Sequence, residues 1–380
     1  MLDFSFEYQV DGFRLAPALT TERGVTALYG PSGAGKSLTL LCLVGLRRPR
    51  QGWIRLNGRT LFDATAGIHV PPHRRRVGLV FQEYALFPHL TVTGNLAYGL
   101  QGLSRTEARD RVGAMLRLLR LEAFGAHYPG ELSGGQRQRV ALGRGLIVQP
   151  DLLLLDEPFS ALDQMERERL RAEVLELLPG FGGTTLLVTH SLQEAYLMAG
   201  RMAVIDGGRI LQAGPRDEVL RHPRDRRVAE HVGASNIFRG VVLNQADVQG
   251  GIIRGTAAGE SGAGGIVWHG ERLAVSGTLP PPGTDVEFCI RPEDVRLVWP
   301  ERVSERPNVI RGCLTSEVKR GVDYQLRFRA EGSIAQAGDI EIHCSEHLHY
   351  LMKLQPGNQL WIALPPDKLH VLARVEGAPD

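Results

Sequence analysis

The stretch ELSGGQRQRVALGRGLIVQPDLLLLDEPFSALD, Glu131–Asp163, sets three polar clusters around a helix-like segment and a fully apolar run. Leu132-Ser133-Gly134-Gly135-Gln136 is a serine followed by glycines, which can open a helix and turn backbone N–H groups toward an anion. Leu152–Leu155 reads as a buried strand ending in two adjacent carboxylates, Asp156 and Glu157. Acids at the C-terminal edge of a parallel sheet suit metal and water chemistry. Ser160-Ala161-Leu162-Asp163 then turns the chain into another helix.

What those acids act on is written upstream. Val25–Tyr29 is a short apolar strand that runs into Gly30-Pro31-Ser32-Gly33-Ala34-Gly35-Lys36-Ser37, and a helical run, Leu38–Leu46, follows. This is G-x-x-x-x-G-K-[ST] in the strand–loop–helix setting it requires. The glycines let backbone N–H groups wrap phosphates, Lys36 reaches the β/γ-phosphates, and the Ser37 hydroxyl is placed for Mg²⁺.

Bulk properties exclude several classes. The chain has 380 residues, room for two or three domains, with 43% hydrophobic and 23% charged residues. Its net charge of +2 gives no argument for nucleic acid or an anionic membrane as partner. Local basic runs such as Arg74-Arg75-Arg76 read as solvated faces. Cys42, Cys289, Cys313 and Cys344 form no C-x-x-C pair, favouring reduced structural thiols over a disulfide framework or a zinc site. The N-terminus MLDFSFEYQV is acidic and alternating, unlike a signal peptide, and the apolar runs are too short to span a bilayer.

Along the chain, Leu2–Val10 alternates as a half-buried antiparallel strand, with Phe13–Leu19 as its hairpin partner. Gln51–Asp63 reads as a strand pair around Asn57-Gly58, and Arg76–Phe81 as a buried strand ending in Gln82. The segment from about Glu83 to Gln149 reads as helical, with a capping box at Ser104-Arg105-Thr106-Glu107. A charged helix, Gln164–Leu178, is expected to close at Pro179-Gly180, and the strand Thr184–Thr189 ends in His190. Arg201–Ile210 reads as a hairpin, Pro215–Arg221 as a short helix, and Arg221–Val232 as a domain boundary. Beyond it the pattern changes to short strands and repeats. Asn236-Ile237-Phe238-Arg239-Gly240-Val241-Val242 returns at Asn308-Val309-Ile310-Arg311-Gly312-Cys313-Leu314, and Ile290–Val298 returns more loosely at Leu364–Leu372. Two matches at nearly one spacing imply two copies of a small β-barrel unit. The expected domains are residues 1–230, with a helical subdomain at about 83–149, and residues 231–380, with lobes at about 236–300 and 301–380.

Lys36, Gln82, Ser133, Asp156, Glu157 and His190, in that order, resemble one family, the ATP-binding-cassette (ABC) ATPases, over about residues 1–225. The resemblance implies an α/β P-loop fold with antiparallel and helical subdomains, followed here by an all-β extension of two OB-like lobes. It implies ATP and Mg²⁺ as cofactors, with Ser37, Gln82 and Asp156 around the metal. Glu157 would polarise the attacking water, Gln82 sense the γ-phosphate, and His190 contact it. Ser133, Gly134, Gly135 and Gln136 would bind ATP held by the other subunit of a homodimer, and Asp163 would communicate across it. An aromatic stacks on adenine in this family; Tyr8 is the candidate, Phe13 the next.

A single cassette with a β-rich extension resembles the ATPase subunit of bacterial binding-protein-dependent importers. The run Val77–Leu100 and the paired barrels look most like the molybdate group. That resemblance implies membrane permease subunits and a substrate-binding protein as partners, the cytoplasmic face of the inner membrane as location, and an oxyanion, molybdate or tungstate, as cargo, which the extension itself could bind. The alternatives are sulfate, iron(III), thiamine, sugars or polyamines, with the extension a dimerisation or regulatory module. The barrel motif of the molybdate group is matched at Ser304-Glu305-Arg306-Pro307-Asn308 with Pro307 inserted, while the first copy lacks the arginine. The extension has few aromatics, which argues against single-stranded nucleic acid as a partner.

Overall fold

The computed structural model describes residues 1–160, 163–243, 263–332 and 339–372. Ala161 and Leu162 of the expected turn, and parts of both expected lobes, lie outside the described residues. The chain divides into two compact units, Met1–Val219 and Leu220–Asp380.

The first unit holds two sheets. Strand β1 (Leu2–Val10) buries Leu2, Phe4 and Phe6 on one face, the period of two that the alternation predicts. It pairs antiparallel with β2 (Phe13–Leu15) and β3 (Ala18–Thr21), so the hairpin partner is split in two. The same sheet continues through β5 (Gln51–Leu56), β6 (Arg59–Asp63) and β7 (Ile68–His69). The second sheet has the order β12-β11-β4-β10-β9-β8. Its strands are β4 (Gly24–Tyr29), β8 (Val77–Val80), β9 (Leu152–Asp156), β10 (Thr184–Thr189), β11 (Arg201–Asp206) and β12 (Arg209–Pro215). All pairs are parallel except β12 with β11. β10 is buried at every position, and β9 at all but its terminal Asp156. Continuous apolar runs are what a parallel sheet covered on both faces demands.

Helix α1 (Lys36–Val44) follows the phosphate loop and ends at Gly45, whose left-handed φ of 90° closes it. Helices α2 (Val92–Ala97), α3 (Arg105–Leu118) and α4 (Gly134–Leu146) share an apolar cluster that includes Leu96, Val112, Leu121 and Val140. The capping box at Ser104 and Glu107 is formed. Residues 83–91 are not helical as expected. Tyr84 and Ala85 take positive φ of 62° and 46°, and the Asn95 side chain occupies the backbone of Phe87, Leu90 and Thr91 with four hydrogen bonds. Helix α5 (Gln164–Phe181) also departs from expectation, running through Pro179 to a left-handed Gly182. Proline has no N–H to give the carbonyl of Leu175, and that residue is exposed, where a missing donor costs least. After β10 come α6 (Leu192–Met198) and, past β12, α7 (Arg216–Arg221).

The second unit begins with α8 (Arg226–His231), capped by Asp225. This helix lies within the stretch Arg221–Val232 that the sequence marks as a domain boundary. The rest is β: β13 (Asn236–Val242), β14 (Ala263–Trp268), β15 (Glu271–Ser276), β16 (Asp285–Ile290), β17 (Arg296–Val298), β18 (Val309–Arg320), β19 (Asp323–Ala330), β20 (Asp339–Ser345), β21 (Gln359–Ala363) and β22 (His370–Leu372). The sheets are ordered β15-β14-β13-β16-β22 and β17-β21-β18-β19-β20. They match strand for strand as the repeat predicts, but the lobes do not divide at residue 300. The last strand of each repeat crosses over: β17 joins the second sheet and β22 the first. Both sheets share one core, including Phe238, Trp268, Phe288 and Phe328. Gly240 and Gly312 hold equivalent places; a side chain at Gly312 would collide with the carbonyl of Arg329.

The repeated asparagines fasten the two sheets. Asn236 donates Nδ2–H to Glu341 O at 2.8 Å and accepts the Glu341 N–H at 2.7 Å. Asn308 accepts the Ala274 N–H at 2.7 Å and donates to Ala274 O and Leu364 O at 2.7 and 2.8 Å. Each asparagine thus reaches an edge region of the opposite sheet. Asn308→Ala orphans three buried backbone groups and is expected to cost about 2–4 kcal/mol. Asn236→Ala orphans two and is expected to cost less, an order that thermal unfolding of the two variants measures.

Candidate functional site

The parallel order of the second sheet places the C-terminal ends of β4, β9 and β10 side by side. From β4 the chain enters the phosphate loop. Gly30 packs so closely on the Ile205 carbonyl that any side chain would collide with it. Gly35, at φ 98°, starts α1. The Lys36 ammonium is buried and donates to Gly30 O and Pro31 O, both at 2.9 Å. Lys36 thus closes the loop on its own backbone. Burial pulls its pKa below the ordinary lysine value, against the pull of Glu157 and Asp156.

β9 delivers the two acids. Asp156 Oδ1 accepts the Ser37 hydroxyl at 3.0 Å. Burial raises the Asp156 carboxyl above its usual range, the Ser37 hydrogen bond opposes the rise, and Glu157 adds to it. Glu157 sits at φ 43°, a left-handed conformation that costs energy in a non-glycine residue. It is held there by its N–H to Val188 O at 3.0 Å and by Ser160, whose N–H and hydroxyl both donate to the Glu157 carbonyl. Glu157 Oε1 lies 3.7 Å from Lys36 Nζ, and Oε2 lies 2.9 Å from Nδ1 of His190. One carboxylate therefore joins the phosphate-loop lysine to the histidine that ends β10.

Lys36, Ser37, Asp156, Glu157 and His190 come together in one network. Ser133, Gly134, Gly135 and Gln136 do not enter it. Ser133 caps α4 in a capping box with Gln136, Ser133 N–H to Gln136 Oε1 at 2.8 Å and the Gln136 N–H to Ser133 Oγ at 3.3 Å. Asp163 caps α5 by accepting the Glu166 N–H at 2.9 Å. Gln82 lies two residues past β8 and is exposed. Of the two aromatics, Phe13 lies against the phosphate loop: its ring would be 3.2 Å from a Cβ at Gly35. Tyr8 sits in register with Leu15 across β1 and β2, and both aromatics pack against the same core.

Two further arginines brace the site. Arg75, fully buried, donates Nη1–H to Cys42 O and Leu43 O at the C-terminal end of α1. Cations there complement the helix dipole. Burial pushes its pKa down to about 10. Arg144 on α4 donates to Ala85 O at 2.7 Å and Tyr84 O at 3.1 Å, and its guanidinium lies 5.2 Å from the Phe87 ring centroid. It ties the loop after Gln82 to the helix that Ser133 opens. The signal was present as a lone cation in the apolar run Val140–Leu146.

Hard oxygen donors, a loop of backbone N–H groups and a lysine fit a nucleoside triphosphate with Mg²⁺. Mg²⁺ takes one or two protein oxygens and fills its remaining places with water and phosphate, which Ser37 and Asp156 can satisfy. Such a site defines a P-loop nucleotide hydrolase. The ABC transporter family profile matches residues 19–160, and the TOBE domain profile residues 288–372. A molybdenum import ATP-binding protein of Paramagnetospirillum magneticum is 36% identical over 318 residues, 83% of this chain and 84% of that protein. A spermidine/putrescine import ATP-binding protein of Frankia alni is 39% identical, covering 91% of this chain and 72% of its own. A sulfate/thiosulfate import ATP-binding protein of Mycobacterium tuberculosis is 43% identical, covering 64% and 69%. The chain belongs to the ABC transporter ATPases that carry a C-terminal all-β, OB-like TOBE domain, and it is an ATP-binding, ATP-hydrolysing enzyme. No helix among the described residues is long and apolar enough to cross a membrane.

Arg144→Met removes both donors to the loop after Gln82. It is expected to lower stability by about 1–3 kcal/mol and to speed amide exchange across residues 83–90. Hydrogen-exchange mass spectrometry reads the second effect.

Proposed function

We propose that this chain is the ATPase subunit of a binding-protein-dependent importer, working as a homodimer on the cytoplasmic face of an inner membrane. The observation that carries the reading is the position of Glu157, between Lys36 and His190 at the end of β9. Lys36 exchanges its carbonyl partners for the β- and γ-phosphates. Glu157 orients and polarises the water that attacks the γ-phosphorus. His190 contacts the γ-phosphate and is hydrogen-bonded to Glu157, and Gln82 reports the γ-phosphate to the loop that meets the permease. Mg²⁺, when bound through Ser37, Asp156 and Gln82, supplies neutralisation of phosphate charge. Phosphoryl transfer depends mostly on such positioning and charge neutralisation.

The placement of Ser133 and Gly135 outside the Lys36 network supports a dimer. Their helix N-terminus suits the ATP of a second subunit, Asp163 communicates across the dimer in this reading, and ATP joins the two copies. Phe13 is the adenine-stacking candidate we favour, since its ring lies against Gly35 of the phosphate loop.

For cargo, we favour an oxyanion, molybdate or tungstate, supported by the relative that imports molybdenum and matches most of both chains. Polyamine import is the second reading, favoured by the similar relative that covers 91% of this chain. The Asn308 amide, matched to the barrel motif of the molybdate group, is fully engaged with backbone. This favours the TOBE unit as a structural or regulatory module, with any oxyanion contact left to other groups.

Glu157→Gln should bind ATP and form an ATP-dependent dimer on size exclusion while its turnover falls about 10²- to 10⁴-fold; normal hydrolysis would remove Glu157 as the base. Phe13→Ala should raise KM for ATP severalfold more than Tyr8→Ala does. The cargo is tested by ATPase stimulation of the assembled transporter with binding protein loaded with molybdate, sulfate or spermidine. Stimulation by spermidine alone would replace the oxyanion reading.

A further inference from the structure

The His190 side chain is 55% exposed, so packing around the imidazole does not fix it. The backbone on either side does. Thr189 Oγ1 donates to Glu194 Oε2 at 2.6 Å and accepts the Ser191 N–H at 3.0 Å. The Ser191 hydroxyl accepts the Glu194 N–H at 3.3 Å, capping α6. Both neighbours of His190 are thus fastened to one residue. Glu194 is 6% exposed, and a carboxylate is seldom buried so far without a partner. Its partner is Arg171, also 6% exposed, whose Nη2 lies 3.8 Å from Glu194 Oε1. Arg171 stands on α5, the helix that Asp163 caps.

We propose that Glu194, paired with Arg171, is the positioning residue for His190. It fixes the Thr189–Ser191 backbone so that the imidazole meets Glu157 and the γ-phosphate, and it ties that setting to the helix entered from Asp163. The proposal rests on His190 contacting the γ-phosphate. Glu194 and Arg171 touch no reacting atom in it. Their effect passes through Thr189, whose hydroxyl is the joint: a displacement there moves the histidine and leaves the phosphate loop alone.

The test is steady-state ATPase activity of the full chain with ATP varied. Thr189→Val keeps the shape and removes the hydroxyl; Thr189→Ser keeps the hydroxyl. Thr189→Val is expected to lower kcat about ten- to a hundredfold with KM nearly unchanged, since a small misplacement of a catalytic group costs that much. Thr189→Ser is expected to hold kcat within about threefold of the parent, the loss of one methyl being small beside the loss of the joint. If Thr189→Val does not fold, Glu194→Gln takes its place, with the same fall in kcat at constant KM expected. An unchanged kcat in the variant that folds, or an equal loss in Thr189→Ser, overturns the positioning role. His190→Ala separates the two levels: if it leaves kcat unchanged, the reading of His190 fails and the proposal falls with it.

Discussion

Parallel pairing of β4, β9 and β10 is the constraint on which the catalytic unit depends. It forces three chain segments far apart in sequence to end at one edge, and each ends in a group suited to phosphate chemistry. The cost is a buried sheet that favours apolar side chains along its strands, which is why β9 is all leucine until Asp156 and the middle of β10 is Leu186-Leu187-Val188. The strand ends can then be polar because they meet solvent or ligand. Glu157 pushes this furthest: it leaves β9 in a left-handed turn, braced by Val188 and Ser160, so its carboxylate faces both Lys36 and His190.

Much of this was legible in the sequence. The phosphate loop, the acids after four leucines and the histidine after an apolar run are local signals with local causes. Residues whose role depends on distant partners were not legible in the same way. Arg144 and Arg75 look like ordinary surface cations in sequence, yet each is placed by carbonyls that only the folded chain presents. Glu194 carries no local signal in the sequence, yet it is buried against Thr189 and Arg171. That the Phe13 ring lies against Gly35 needed the third dimension, because alternation along β1 assigns faces but says nothing about what lies opposite them. Pro179 shows the converse error: a strong local breaker was overruled by an exposed position near a helix end.

The bracing residues share a design. Arg75 holds the end of α1, Arg144 the loop past Gln82, and Glu194 the turn at His190. Each is a charged group anchored largely by hydrogen bonds to backbone or by one opposite charge. Backbone partners do not vary with side-chain identity, so they fix loop geometry while leaving the loop's own residues free to do chemistry.

The exchange of β17 and β22 between the two sheets of the TOBE unit sets how that unit can come apart. Its two repeats cannot be parted like beads on a string, because each is finished by a strand belonging to the other. Cutting the chain between the repeats would leave each fragment with a sheet edge that only the other fragment fills. The repeated asparagines, each reaching across to the other sheet, are stitches that close the same seam.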